Sequence, residues 1–237
     1  MKTSNKILLI SSSSIIGMVI VFLIIFRLML GNNITTETER PKDSDKPLVS
    51  REFPLADFTG IEVSGHWEVK LTHGETTQVM IRAPEDVMEN LLVEKQAGTL
   101  ILSRNKKGHT SLEKVTALIT MSSLSQIQLK GLVGLELTGF KSERLTVYTE
   151  GSTSITGKEN HINTLYLRGE GLSKLNLRRN SVISADLRYK GVYNIELSMA
   201  GGELTGKIEG VGKVIYDGEV QKESIHKDGP SRVIREE

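Results

Sequence analysis

A glycine returns through the second half of this chain at nearly constant spacing. Gly131, Gly151, Gly171 and Gly191 stand twenty residues apart, and Gly210 and Gly229 follow at nineteen. Each is trailed four positions later by an aliphatic residue: Leu135, Ile155, Leu175, Ile195, Val214 and Val233. A unit this short cannot bury an apolar side of its own, so neighbouring units must stack. Apolar residues fill even offsets on both sides of the glycine, with Ile127, Val147, Leu167 and Leu187 four before it and Leu137, Leu177 and Leu197 six after it. That period of two is the signature of strands. Glycine suits the corner between two strands because it accepts positive φ and lets successive turns of backbone approach closely. The expected fold is all-β: a single-chain β-solenoid with rungs of about 20 residues.

The segment Ile61 to Leu71, centred on Gly65, follows the same grammar and makes a seventh copy. Between Gly74 and Leu124 the repeat blurs, although Val79 with Ile81, Leu100 to Leu102 and Val115 to Met121 still read as strands. About nine rungs at strand spacing would give a body roughly 40 Å long. Pro84 to Asn90 fits a short helical turn, with proline early and acids in the first turn, as well as it fits an irregular loop. The leucine-rich-repeat frame is missing, and alternation at a spacing of two argues against helices.

Ahead of the repeat, Ile7 to Phe26 is uncharged and largely apolar, and Leu28 to Leu30 extend it past Arg27. That is enough for one transmembrane helix, at about 20 residues per crossing. Lys2 and Lys6 precede it, so the positive-inside rule puts the N-terminus in the cytoplasm. No small-x-small cleavage site follows, which favours a retained signal anchor over a removed signal peptide. Residues 31–50 are polar, carry both charge signs and two prolines, and read as a flexible tether. The expected organisation is residues 1–30 as cytoplasmic N-terminus and anchor, 31–50 as tether and 51–237 as solenoid. The membrane is then the partner of residues 7–30.

The start Phe58-Thr59-Gly60-Ile61-Glu62-Val63, the serial glycine turns, and the closing Gly210-Val211-Gly212-Lys213-Val214-Ile215-Tyr216-Asp217-Gly218 with Lys227-Asp228-Gly229 resemble the head GIN domain family. The resemblance covers about residues 51–235. Val, Ser, Leu or Lys stand where the family's serial Gly-Ser-Gly turns would place small residues. The resemblance implies a β-solenoid in the bacterial envelope, in proteins described as autotransporter-adhesin heads, and implies no established activity. With the anchor, it places the chain in the bacterial inner membrane as a single-pass protein whose C-terminal domain lies in the periplasm or outside.

In a stack, equivalent positions of successive rungs become neighbours. Three residues before the glycines stand Gln128, Tyr148, Arg168, Arg188, Lys207 and His226. The last five form a candidate stripe for an anionic partner such as phosphate or uronate groups of an envelope glycan, with arginines suited to bidentate contacts. Two positions along the same face run Lys130, Glu150, Glu170, Lys190, Glu209 and Asp228. Pairs such as Arg168 with Glu150 or Glu170, and Lys207 with Glu209, would be ordinary exposed salt bridges of about 0 to 1 kcal/mol. On that reading the stripe is a solvated face.

With a net charge of +1, the chain has no global attraction to nucleic acid. It has no cysteine, so disulfides and thiolate chemistry are excluded. The five histidines are scattered without zinc spacing, and no catalytic, cofactor or metal constellation emerges. The GxG pairs at 169–171 and 210–212 read as repeat corners. The expected role is a non-catalytic, envelope-anchored surface for protein or glycan partners. The alternatives are a polysaccharide-processing β-helix enzyme, which would need paired carboxylates, and a self-associating structural component.

Overall fold

A computed structural model describes residues 46–104 and 113–236. The expected membrane span at residues 7–30 and most of the tether lie outside them. No described helix is long and apolar enough to cross a membrane. The chain order is β1 (Leu48–Phe53), β2 (Gly60–His73), β3 (Gln78–Pro84), α1 (Glu85–Met88), β4 (Leu91–Gln96), β5 (Thr99–Arg104) and β6 (Val115–Met121). It continues with β7 (Gln126–Thr138), β8 (Lys141–Ala200), β9 (Glu203–Glu219), β10 (Lys222–Asp228) and β11 (Ser231–Arg235). All described elements but one four-residue turn of helix are strands, and the fold is all-β.

The glycine spacing becomes strand register. Gly65 pairs with Gly131, Gly131 with Gly151 and Gly191 with Gly210, all in parallel strands. β8 carries three successive copies in one unbroken strand path. A Cβ added at Gly171 would sit 2.4 Å from the Gly151 carbonyl oxygen, and one at Gly191 only 2.2 Å from that of Gly171. Both residues also have φ of 100° or more, so glycine is required there twice over. The inward rows predicted from even offsets are buried: Ile127, Val147, Leu167 and Leu187 form one, and Leu135, Ile155, Leu175, Ile195 and Val214 another. In the row with Leu137 and Leu177, Gly157 leaves a gap that Leu177 fills, its Cδ2 lying 2.5 Å from where a Cβ would be.

The first seventy described residues depart from simple stacking. β5 pairs with the first half of β2 and β6 with the second, so one split level precedes β2. Eight parallel levels result where about nine were expected, because β1, β3 and β4 are antiparallel additions. The reason is connection length. Parallel neighbours need a crossover of roughly a dozen residues, whereas Ala97-Gly98 joins β4 to β5 with two. Both residues of that turn have positive φ, 47° and 77°, as a tight primed hairpin turn demands. Pro84 to Asn90 resolves to the helical turn, with Pro84 preceding Glu85 and Asp86. Strand structure begins at Leu48, three residues before the composition changes at Arg51, and Lys46 reaches Asp86 and Glu113 at 2.7 and 3.2 Å.

A second bend lies nine residues past the glycine, where Phe140, Asn160 and Asn180 stand in register. Asn160 is fully buried. Its Oδ1 accepts from the Phe140 amide at 2.9 Å, and its Nδ2 donates to the Leu137 carbonyl at 3.0 Å and to Asn180 Oδ1 at 2.6 Å. Asn180 Oδ1 also accepts from the Asn160 amide at 3.1 Å, while its Nδ2 donates to the Gly157 carbonyl at 2.9 Å. These side chains satisfy backbone groups that the bend removes from the ladder, and such groups are costly to bury unpaired.

Candidate functional site

Residues five, three and one before the glycine point outward, and on β7 and β8 they line an open groove of about 570 Å³. Tyr148 stands in it, 43% exposed, with Gln128 beside it in register on β7. Arg168, Glu150, Glu170 and Lys190 complete its walls. The floor passes Gly169, where a Cβ would lie 2.1 Å from Thr149 Oγ1 and 2.7 Å from Tyr189 Cε2. The Tyr189 ring from the next level fills that inward space and packs edge-on against Tyr193, with ring centroids 5.4 Å apart. Burial pushes the Tyr189 phenol above its ordinary pKa, against the opposing effect of the Thr149 and Ser173 hydroxyls.

The stack aligns the predicted stripe: Arg188 pairs in register with Lys207, and Lys207 with His226. It does not make one continuous free charge. The Arg168 guanidinium grips both carboxylate oxygens of Asp186 at 3.1 and 3.2 Å and donates to the Leu167 and Asp186 carbonyls. It also lies 5.5 Å from the centre of the Tyr166 ring. Its partner is therefore Asp186, five residues before a glycine, and not Glu150 or Glu170. Arg188, 65% exposed along its side chain, approaches the same Asp186 at 3.5 Å. Lys207 pairs with Glu209 as the spacing predicted. That hydrogen bond holds the Lys207 ammonium above its usual pKa and the Glu209 carboxyl below its own. Only Tyr148 and Arg168 of the stripe share the groove, while Arg188, Lys207 and His226 continue past it.

A second charged cluster was not anticipated. Arg178 holds Glu196 at 2.9 Å and Glu236 at 2.6 Å, with Asp217 at 4.0 Å, tying the C-terminal residues across the outer face. Burial opposes the charge on Glu196, but hydrogen bonds from Asn194 and Arg178 outweigh it and leave the carboxyl below its usual pKa. Arg178 lies seven residues past its glycine, beyond the offsets that apolar alternation picks out. Among the described residues no three histidine or acidic side chains converge in a metal-binding arrangement.

The chain matches a family model described as "putative auto-transporter adhesin, head GIN domain" over residues 57–234. The chain belongs to the head GIN domain family. This head GIN domain is also similar to solved structures. One, described as a putative adhesin from Bacteroides fragilis, is 18% identical with a TM-score of 0.66, over 81% of this chain and 98% of that one. Another putative adhesin, from Parabacteroides merdae, is 13% identical with a TM-score of 0.51, over 80% and 97%. A third, described as a putative lipid binding protein from Parabacteroides distasonis, is 15% identical with a TM-score of 0.50, over 80% and 97%. At these identities the likeness is one of fold. No curated protein matches the chain.

Proposed function

We propose that this head GIN domain is a β-solenoid held at the bacterial inner membrane by residues 7–30, with its stack on the far side, and that it acts as a non-catalytic adhesion surface. The observation that carries the proposal is the open groove around Tyr148. An exposed aromatic ring flanked by glutamine amides and charges of both signs suits a sugar ring bearing ionic substituents, or a polar peptide. Arg188, Lys207 and His226 extend the same face beyond it for a long anionic chain, which would compete with Asp186 and Glu209 for Arg188 and Lys207. Family membership supports the adhesive reading over the polysaccharide-processing one.

The test is a screen of the full chain against envelope glycans and envelope protein fractions, with Tyr148→Ala and an Arg188→Ala/Lys207→Ala variant alongside. Tyr148→Ala should weaken binding at least about tenfold, as the loss of a central aromatic contact does. Equal binding by wild type and Tyr148→Ala removes the groove from the function, and release of soluble sugar from a polysaccharide establishes the enzyme instead. Protease added to intact spheroplasts should reach the stack; full protection overturns the topology.

A further inference from the structure

The residue just after each corner glycine points to solvent, and in this chain it is repeatedly apolar. Leu132, Leu172, Val192 and Val211 are 51–53% exposed, with Ser152 between the first two. Leu132 is in register with Ser152, and Val192 with Val211. The close approach of Gly191 to Gly171 puts Leu172 and Val192 on neighbouring levels. The result is a narrow apolar ridge along the glycine corner, and single exposed apolar residues do not normally align this way.

At three levels the two sides of the ridge carry opposite charge. On the side before the glycine lie Glu170, Glu209 and Asp228. On the side after it, on the same levels, lie Lys174, Lys213 and Arg232. Of these six only Glu209 makes a salt bridge among the described residues, to Lys207. The remaining levels juxtapose a charge with a neutral partner: Ser64 with Glu68, Lys130 with Gly134, Glu150 with Ser154, Lys190 with Asn194.

We propose that this ridge binds a second copy of the same chain, the two stacks lying side by side and parallel about a two-fold axis along the stack. Such a rotation exchanges the two flanks, so at those three levels the acid of one copy faces the base of the other. Glu170 meets the partner's Lys174, Glu209 its Lys213 and Asp228 its Arg232, and no level opposes like charges. A two-fold axis across the stack, midway between the Gly171 and Gly191 levels, would instead bring Glu150 against Glu209 and leave Lys174, Lys213 and Arg232 against neutral residues, so it forms fewer opposite-charge contacts. In the parallel arrangement both copies begin at the same end, as two chains anchored in one membrane must. The strip is narrow and falls at the low end of interface sizes, so the association is weak and gains from tethering both copies to one surface.

The absence of native cysteine makes the arrangement directly readable. In the full chain in mild detergent, Leu132→Cys and Val211→Cys should each form disulfide-linked dimers under gentle oxidation. They should do so about tenfold faster than Lys158→Cys, an exposed residue near the other bend, an effect within reach of a few exposed ion pairs and one apolar strip. Lys174→Glu with Lys213→Glu should remove that advantage, and adding Glu170→Lys with Glu209→Lys should restore it. Cross-linking no faster than at Lys158→Cys overturns the proposal, and so does cross-linking that requires Leu132→Cys mixed with Val211→Cys, since that pairing belongs to opposed stacks. The cross-linking and Lys174→Glu/Lys213→Glu arms leave the groove around Tyr148 unaltered, and Glu170, which also stands in its wall, changes only in the restoring variant, so the cross-linking outcome and that of the binding screen are independent.

Discussion

Each level of the stack turns twice, and the two bends are made of opposite materials. At the glycine corner, backbone lies on backbone so tightly that no side chain fits, a Cβ at Gly191 falling 2.2 Å from the carbonyl oxygen below. At the other bend the chain opens, and the gap is filled by Asn160 and Asn180, whose amides take the hydrogen bonds the backbone has lost. The first corner depends on having no side chain, the second on having one particular side chain. A bend closed by exclusion tolerates no insertion of atoms, whereas a bend closed by hydrogen bonds fails when a donor or acceptor is removed.

The largest expected effect tests the exclusion directly. Gly191→Ala meets both a backbone clash and a φ of 131°, and should cost about 4 kcal/mol in chemical denaturation. Gly65→Ala shares the positive φ, at 112°, but among the described residues its Cβ would meet only the Trp67 ring at 3.6 Å. It should cost only about 1 to 2 kcal/mol, the strain without the clash. Equal losses at the two glycines would mean that strain, and not close stacking, defines the corner.

Asn160→Ala should follow at about 3 kcal/mol, because it strands the Phe140 amide and the Leu137 carbonyl in the interior. Asn180 is only half-buried, and Asn180→Ala should lose about half as much by the same measurement. A smaller and opposite change belongs to the antiparallel region. Ala97 holds a φ of 47° in the β4–β5 turn, so Ala97→Gly should raise stability by about 1 kcal/mol.

The smallest expected effect is an acid sensitivity. Glu196 has its carboxyl pKa lowered in the folded protein, so its contribution is present above the unfolded value, near 4.5, and is lost as pH falls through the lower folded value. Thermal melts between pH 6 and pH 3 should show a shallower decline for Arg178→Ala than for wild type. An unchanged slope would remove the Arg178 cluster from the pH response.

The two bends were also unequally legible in the sequence. Glycine occupies its corner in all seven copies because each has positive φ and, from Gly131 onward, any other residue there collides with the level below, so sequence alone reveals the position, the inward rows and the family. Asparagine occupies the second bend in only two copies, with Phe140 in the copy before, and its partners are mostly carbonyls and amides that leave no pattern. The β4–β5 hairpin was hidden for a related reason: Ala97-Gly98 lacks the Asn-Gly or Asp-Gly composition that announces such a turn. In the groove, Tyr148 and Arg168 followed from the outward offset. The capture of Arg168 by Asp186 did not, because it joins positions two residues apart on neighbouring levels, and a comparison along one offset cannot see it.

The register of the stack also bears on the order in which the chain can fold. From β7 onward each level meets its neighbour across about twenty residues of chain, as with Gly131 and Gly151, whereas β2 reaches β7 across sixty-six, from Gly65 to Gly131. Closing the longer loop costs about 1 kcal/mol more in chain entropy, before any packing of the residues between. The C-terminal levels can therefore zip together from nearest neighbours while β2 waits for β3 to β6 to form beside it. The irregular N-terminal end is, on this count, the part of the domain assembled last, although it is the part synthesised first.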